Sequence, residues 1–116
     1  MPRFAILTHD HPELHWDLLL ERETALRTWR LQRPPDETGP ISALPLADHR
    51  EAYLDYEGPV SGNRGHVSRW DSGEMEWLLE TPLCVRARLR GTRIKGEIQL
   101  QPTSDPNVWE FTCVAE

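Results

Sequence analysis

Short runs of alternating apolar and polar residues recur along the chain and predict β-strands. In the clearest run, Trp16, Leu18 and Leu20 alternate with His15 and Asp17. Successive side chains of a strand point to opposite faces, so the three apolar residues should face a core. His15 and Asp17 should then share the other face, which borders a cleft or solvent.

Similar patterns predict strands along the rest of the chain, and the segments between them carry turn residues such as Ser72-Gly73 and Thr81-Pro82. Many short strands at a spacing of about 8–12 residues are typical of antiparallel barrels and sandwiches. We therefore predict an all-β fold. The predicted strands are residues 3–8, 14–20, 25–31, 66–71, 74–79, 83–89, 94–101 and 108–114, with residues 41–46 in extended conformation.

One segment, residues 48–58, has the signals of a short helix. Asp48 is a candidate N-cap, Glu51 follows three residues later, and Gly58 ends the segment. On a helix His49 and Tyr53 would be four residues apart and share a face. They are either a buried tyrosine beside a surface histidine or two proton donors directed at one ligand.

Length and charge limit the possible architectures and partners. A chain of 116 residues is sufficient for one domain, which we assign to residues 1–116. The net charge of −6 repels nucleic acid at long range, so a nucleic-acid partner would require a local basic patch or a bound metal. Cys84 and Cys113 are predicted to be free thiols. No signal peptide or membrane span is recognisable, and we expect a soluble cytoplasmic protein without a membrane partner.

Three of the five histidines fall within residues 9–15, and Asp17 follows at once. The bend at Pro12 would allow His9 to fold back onto His15 and Asp17. Two imidazoles and one carboxylate leave coordination positions open, which suits Mn²⁺, Zn²⁺ or Fe²⁺ in a catalytic role. The alternative is that these side chains are the solvated face of an amphipathic strand.

Four motifs in the same order resemble the 3′-phosphoesterase module of bacterial DNA ligase D, which acts in end-joining repair. The first is His-Asp-His-Pro-Glu-Leu-His-Trp-Asp-Leu-Leu-Leu-Glu at residues 9–21, and the second is Asp-His-Arg-Glu-Ala-Tyr-Leu-Asp-Tyr-Glu-Gly at residues 48–58. Gly-His-Val-Ser-Arg-Trp-Asp-Ser-Gly at residues 65–73 and Leu-Arg-Gly-Thr-Arg-Ile-Lys-Gly at residues 89–96 complete the series. The resemblance covers nearly the whole chain.

The resemblance implies a small antiparallel β-barrel of about eight strands with one or two short helices. It also implies Mn²⁺-dependent processing of DNA 3′ ends, by removal of a terminal ribonucleotide and hydrolysis of a 3′-phosphate; Zn²⁺ or another transition metal is the alternative cofactor. His9, His15 and Asp17 would be the metal ligands, and His49 and Tyr53 would contact the scissile phosphate. The implied partners are a DNA or DNA/RNA 3′ end and a separate DNA ligase or polymerase.

The chain departs from the family motif at two positions. Leu19 stands where the family has an arginine two residues after the metal-binding aspartate, and leucine cannot bind phosphate in bidentate fashion. Glu13 replaces a second arginine. Arg64 and Arg50 are candidates for phosphate binding, the alternative being solvated surface charge. We also expect the family's N-terminal arm, with its Arg-Asp-Phe segment, to be absent.

The sequence is compatible with three functions. The first is a metal-dependent phosphoesterase acting on nucleic-acid 3′ ends or a related phosphate ester. The second is a non-catalytic, metal-containing module that binds DNA ends or a partner and has lost the phosphate-clamping arginine. The third, a cupin-like small barrel with unrelated metal chemistry, rests on fold analogy alone. The enzyme is favoured by the presence together of five motif residues, namely His9, His15, Asp17, His49 and Tyr53. Leu19 instead favours the binding module or a changed substrate.

Overall fold

The computed structural model describes residues 1–116 and contains nine strands that pair antiparallel in a single sheet. The strands are joined mostly by short turns. Their bounds are β1 Arg3–His9, β2 His15–Arg22, β3 Ala25–Leu31, β4 Ile41–Arg50, β5 Gly58–Pro59, β6 His66–Thr81, β7 Cys84–Arg90, β8 Lys95–Pro102 and β9 Trp109–Ala115.

The sheet closes on itself. Its strand order is β1-β2-β3-β4-β9-β8-β7-β6-β5, and a further pairing of β1 with β6 completes a ring of eight strands. The two-residue β5 is added at the start of β6. Closure leaves the eight principal strands without a free edge. The predicted all-β barrel of about eight strands is therefore confirmed.

The barrel interior holds the main core. Phe4 and Ile6 of β1 point inward, as do Leu18 and Leu20 of β2 and Trp29 of β3, and all five are essentially inaccessible to solvent. Burial of one such side chain contributes about 1.5–3 kcal/mol. The prediction that Leu18 and Leu20 of β2 face the core is thus confirmed.

A second, smaller core lies on the outside of the barrel. Because alternate residues of β1 and β2 are also apolar, Ala5, Leu7 and Leu19 point outward, where they cluster with Leu54 and with Val67 of β6. Leu54 belongs to a covering segment, residues 51–65, which also packs Tyr53 and Val60 against this cluster. This segment forms one wall of the cleft described below.

The helix predicted for residues 48–58 is largely wrong. Residues 48–50 continue β4, where His49 and Arg50 pair with β3, and only Glu51–Leu54 form a single 3-10 turn. The cap candidate Asp48 lies inside the strand because ladder pairing uses the backbone groups that a helix would need. No helix in the structure is long enough to cross a membrane, since this turn of four residues is the only helical segment.

The turn predicted at Ser72-Gly73 is also wrong. These residues lie inside β6, a continuous strand of 16 residues that pairs first with β1 and then with β7. A Cβ atom at position 73 would lie 2.1 Å from the carbonyl oxygen of Arg90. Glycine is therefore required here by the close approach of another part of the backbone, and not by a turn.

Candidate metal centre and adjoining cleft

The hairpin of β1 and β2 brings the three predicted metal ligands together. His9 and His15 are directly opposite in the strand register, and Asp17 lies two residues further on the same face of β2. Nδ1 of His9 is 3.6 Å from one carboxylate oxygen of Asp17, and Nε2 of His15 is 3.3 Å from the other. One donor atom from each residue lies within 4.8 Å of the other two.

Backbone carbonyl groups fix the orientation of both imidazoles. Nε2 of His9 lies 2.9 Å from the carbonyl oxygen of Arg64, and Nδ1 of His15 lies 2.8 Å from that of Glu13. A carbonyl oxygen can only accept, so each of these ring nitrogens is the protonated donor. In the neutral tautomer that this hydrogen bond selects, the opposite nitrogen of each ring presents a lone pair towards Asp17. Histidine ligands of metals are oriented in this way.

The buried polar atoms at this site lack partners within the protein. His15 is 3% exposed and Asp17 is 5% exposed. Neither Nε2 of His15 nor Oδ1 of Asp17 makes a hydrogen bond. A ring lone pair and a carboxylate oxygen at this separation repel each other unless a proton or a cation lies between them. Two nitrogens and a carboxylate are also a common donor set for a transition metal, so the three residues fit a divalent cation.

A cleft of about 360 Å³ adjoins these ligands. His9 and Asp17 form part of its wall, and His49 and Tyr53 form another part. The rings of His49 and Tyr53 meet edge to face with centroids 5.7 Å apart. The two rings meet because His49 lies at the end of β4 and Tyr53 lies in the 3-10 turn that follows. They are not on one face of an α-helix, as the sequence had predicted. The remaining lining residues are Leu7, His11, Pro12, Arg30, Leu46, Val60, Arg64 and Val67.

The two arginines proposed for phosphate binding lie in different places. Arg64 lines the cleft, but its Nε donates to the carbonyl oxygen of Ser61 and one terminal nitrogen donates to the Ser61 hydroxyl. Arg50 lies in a neighbouring cavity with Tyr56, and Tyr53 lines both cavities. A role for either arginine in phosphate binding stays a prediction.

The two departures from the family motif have different structural settings. Leu19 shares a face of β2 with Asp17, as strand alternation predicts, but it is fully buried in the outer core. It is not among the residues that line the cleft. Glu13 contributes its backbone carbonyl to the orientation of His15, and any residue type at that position would supply this group.

The loop that supplies the Arg64 carbonyl is held against the β1–β2 connection. The backbone N–H of His66 donates to Oδ1 of Asp10 at 2.7 Å, and this hydrogen bond lowers the pKa of the Asp10 carboxyl. Gly65 has a φ of +76°, and a Cβ atom there would lie 2.2 Å from Oδ1 of Asp10. The close approach of the two loops thus requires glycine at this position.

Comparison with known proteins agrees with this geometry. Residues 7–102 match the family model described as the DNA Ligase D 3′-phosphoesterase domain. The chain belongs to this family. The matched range includes His9, His15 and Asp17 and both residues of the His49–Tyr53 pair.

Two relatives show how much of a ligase D protein this chain represents. The multifunctional non-homologous end joining protein LigD of Pseudomonas aeruginosa is 32% identical over 76 residues, which cover 61% of this chain and 9% of that protein. LigD of Mycobacterium bovis is 32% identical over 110 residues, covering 87% of this chain and 14% of that protein. The chain thus spans about one tenth to one seventh of the length of these relatives.

Sequence reasoning did not identify Arg30, which the structure places in the wall of the cleft. The signal was available in the hairpin pattern. A tight turn after Arg22 sets the register of β2 against β3, and this register puts Arg30 directly opposite Asp17. Two residues opposite each other in a ladder share a face, so the position of Asp17 predicts the position of Arg30.

Proposed function

We propose that this protein is a divalent-metal-dependent phosphoesterase, with Mn²⁺ as the metal, that acts on phosphate esters at the 3′ ends of DNA or DNA/RNA. The observation that carries the proposal is the pair of unpartnered buried atoms, Nε2 of His15 and Oδ1 of Asp17, beside an open cleft. Membership in the ligase D phosphoesterase family supplies the reaction class. With both cysteines free, the proposed location is the reducing cytoplasm.

In this proposal His9, His15 and Asp17 hold the metal through Nδ1, Nε2 and the carboxylate. The cation, when bound, polarises phosphoryl oxygens and lowers the pKa of a coordinated water. The carbonyl oxygens of Arg64 and Glu13 keep both imidazoles in the tautomer that presents a lone pair. Because the two hydrogen bonds are formed before the substrate binds, no ring has to reorient during the reaction.

His49 and Tyr53 are proposed to act on the phosphate. Nδ1 of His49 lies 3.1 Å from the carbonyl oxygen of Ala47 and must donate to it, which leaves Nε2 for the substrate. A protonated His49 can donate from Nε2 to the leaving oxygen, and the Tyr53 hydroxyl can donate to a phosphoryl oxygen. Proton transfer from a positioned side chain typically accelerates such reactions about 10²–10⁴-fold.

The test is incubation with Mn²⁺ and a primer-template that ends in a 3′-phosphate or in a single 3′-ribonucleotide. Release of inorganic phosphate, or of the terminal nucleotide, is expected from the wild type. His9→Ala should abolish it, and Tyr53→Phe should slow it by about 10²-fold. His66→Ala, which removes an exposed imidazole outside the metal centre, is the matched control and should retain full activity.

The burial of Leu19 supports a second candidate, a metal-containing module that binds DNA ends or a repair partner such as a separate ligase or polymerase without turnover. That candidate predicts retained Mn²⁺ binding with no product from either primer end, whichever divalent metal is supplied. This result would overturn the phosphoesterase proposal.

A further inference from the structure

Most arginines of this acidic chain are neutralised within the protein. Eight of the twelve have a nitrogen within 4.0 Å of a carboxylate oxygen, and the chain has 19 acidic residues available for such pairs. An arginine without an ionic partner is therefore an exception. The eight paired residues are Arg3, Arg22, Arg27, Arg33, Arg69, Arg86, Arg88 and Arg90.

The four unpaired arginines differ in what occupies their guanidinium groups. Arg93 lies over the ring of Trp70 at 4.0 Å, and Arg64 donates twice to Ser61. Arg50 is exposed and lies outside the cleft that adjoins the candidate metal ligands. Arg30 alone lines this cleft with no side-chain hydrogen bond and no salt bridge, and its Nε is buried without a partner. A buried charged donor without an acceptor is costly unless a ligand supplies one.

The position of Arg30 makes the missing ion pair notable. It is directly opposite Asp17 in the β2–β3 ladder, where opposite charges normally attract each other. Asp17 instead directs its oxygens to His9 and His15. A cation held by those three residues and the guanidinium of Arg30 would bring two positive charges to the same cleft. Such an arrangement is stabilised when an anion lies between them.

We propose that Arg30 is the residue that binds the phosphate group in this cleft, through its planar guanidinium and two oxygens of a terminal phosphate. The inference rests on the proposed function, and it specifies how this chain replaces the arginine that the family carries at the position of Leu19. Leu19 is packed in the outer core and cannot fill that role. The neighbouring strand supplies the guanidinium instead, from the position opposite the metal-binding aspartate.

The test compares the affinity of the Mn²⁺-loaded protein for inorganic phosphate between the wild type and variants at position 30. Arg30→Gln, which keeps much of the side-chain volume, should weaken phosphate binding at least about tenfold. Arg30→Lys should give an intermediate loss of phosphate affinity, because lysine retains the positive charge but lacks the planar guanidinium that donates two parallel hydrogen bonds. Arg86→Gln is the matched control: Arg86 is another outward-facing arginine with an unpartnered buried Nε, but on β7, away from the cleft.

Mn²⁺ affinity and the free energy of unfolding are measured for each variant. For Arg30→Gln, Mn²⁺ affinity should remain within about twofold of the wild type, and the free energy of unfolding within about 1 kcal/mol. A loss of phosphate affinity then cannot be attributed to loss of the metal or of the fold. Wild-type phosphate affinity in Arg30→Gln, or an equal loss in Arg86→Gln, would overturn the assignment. Failure of the proposed function has a different signature, namely wild-type protein that binds phosphate but releases no product from a 3′-phosphate end.

Discussion

Nε2 of His9 donates a hydrogen bond to the carbonyl oxygen of Arg64 at 2.9 Å, across 55 residues of sequence. This contact joins a metal-ligand candidate to the loop that precedes β6. It determines which nitrogen of His9 carries the proton. The integrity of the loop is therefore expected to control metal affinity even though its side chains are not ligands.

Gly65→Ala is expected to weaken Mn²⁺ binding by about 10–100-fold, the usual cost of disturbing the groups that orient metal ligands. The new Cβ would meet Asp10 and His11, so the loop must move and withdraw the Arg64 carbonyl from His9. Titration followed by isothermal calorimetry measures the change. Gly39→Ala is the control: its φ of +83° is similarly positive, but a Cβ there meets no atom within 4 Å. Equal metal affinity in the two variants would contradict the argument.

Divalent metal is expected to stabilise the folded protein. At a free Mn²⁺ concentration one hundred times the dissociation constant, the gain is about 2.7 kcal/mol, or about 10 °C in Tm for a domain of this size. His15→Ala should abolish the increase because Nε2 of His15 is one of the three donor atoms. Differential scanning calorimetry with and without Mn²⁺ provides the measurement, and His66→Ala should show the full increase. A metal-induced shift that survives in His15→Ala would place the cation elsewhere.

Leu19→Arg is expected to destabilise the fold rather than restore a phosphate-binding group. Leu19 is fully buried among Ala5, Leu7 and Leu54, so a guanidinium at this position would be placed in an apolar cluster. An uncompensated buried charge costs about 3–5 kcal/mol. Urea denaturation should show this loss, while Leu83→Arg, at a position that is 75% exposed, should leave stability within about 0.5 kcal/mol. A gain in phosphatase activity at unchanged stability would show that position 19 can reach the cleft.

The buried carboxylate of Asp71 is expected to be a major contributor to stability. It accepts hydrogen bonds from the backbone N–H groups of Ser72, Thr92, Arg93 and Ile94. Asp71→Ala leaves buried donors without an acceptor, so we expect a loss of about 3 kcal/mol in the free energy of unfolding. Chemical denaturation at pH 7 measures it.

The matched control for Asp71 is Asp36→Ala, which removes an exposed carboxylate that forms no salt bridge. A loss below about 1 kcal/mol in Asp71→Ala would mean that water replaces the carboxylate at little cost.

The Arg3–Asp55 ion pair should make a pH-dependent contribution to the free energy of unfolding. Hydrogen bonds from the guanidinium of Arg3 and its charge hold the pKa of the Asp55 carboxyl below its usual range. The pair therefore stabilises the fold above the ordinary aspartate pKa of about 3.9, and this contribution is lost as the pH falls through the lower folded-state value. Asp55→Asn should accordingly be less stable than the wild type at pH 7, and the difference should disappear in acid. A difference that persists at low pH would contradict an ionic origin.

Much of the fold could be predicted from local pattern. Alternation located the principal strands and assigned the faces of β2, because the two-residue period is a property of the extended backbone itself. The errors at residues 48–58 and at Ser72-Gly73 have a common physical reason. In both places strand pairing with distant segments determined the conformation, overriding a local signal for a helix cap or a turn.

By itself, the sequence determined which donor groups are available and that His15 and Asp17 share a face, since both follow from the order of residues along one strand. Only the tertiary structure decided that the Arg64 carbonyl orients His9, that Leu19 is buried, and that the guanidinium of Arg30 has no ionic partner. Those relationships depend on how the barrel closes and how residues 51–65 cover it. Contacts between distant segments of the chain are set by packing of the whole molecule, which no local pattern encodes.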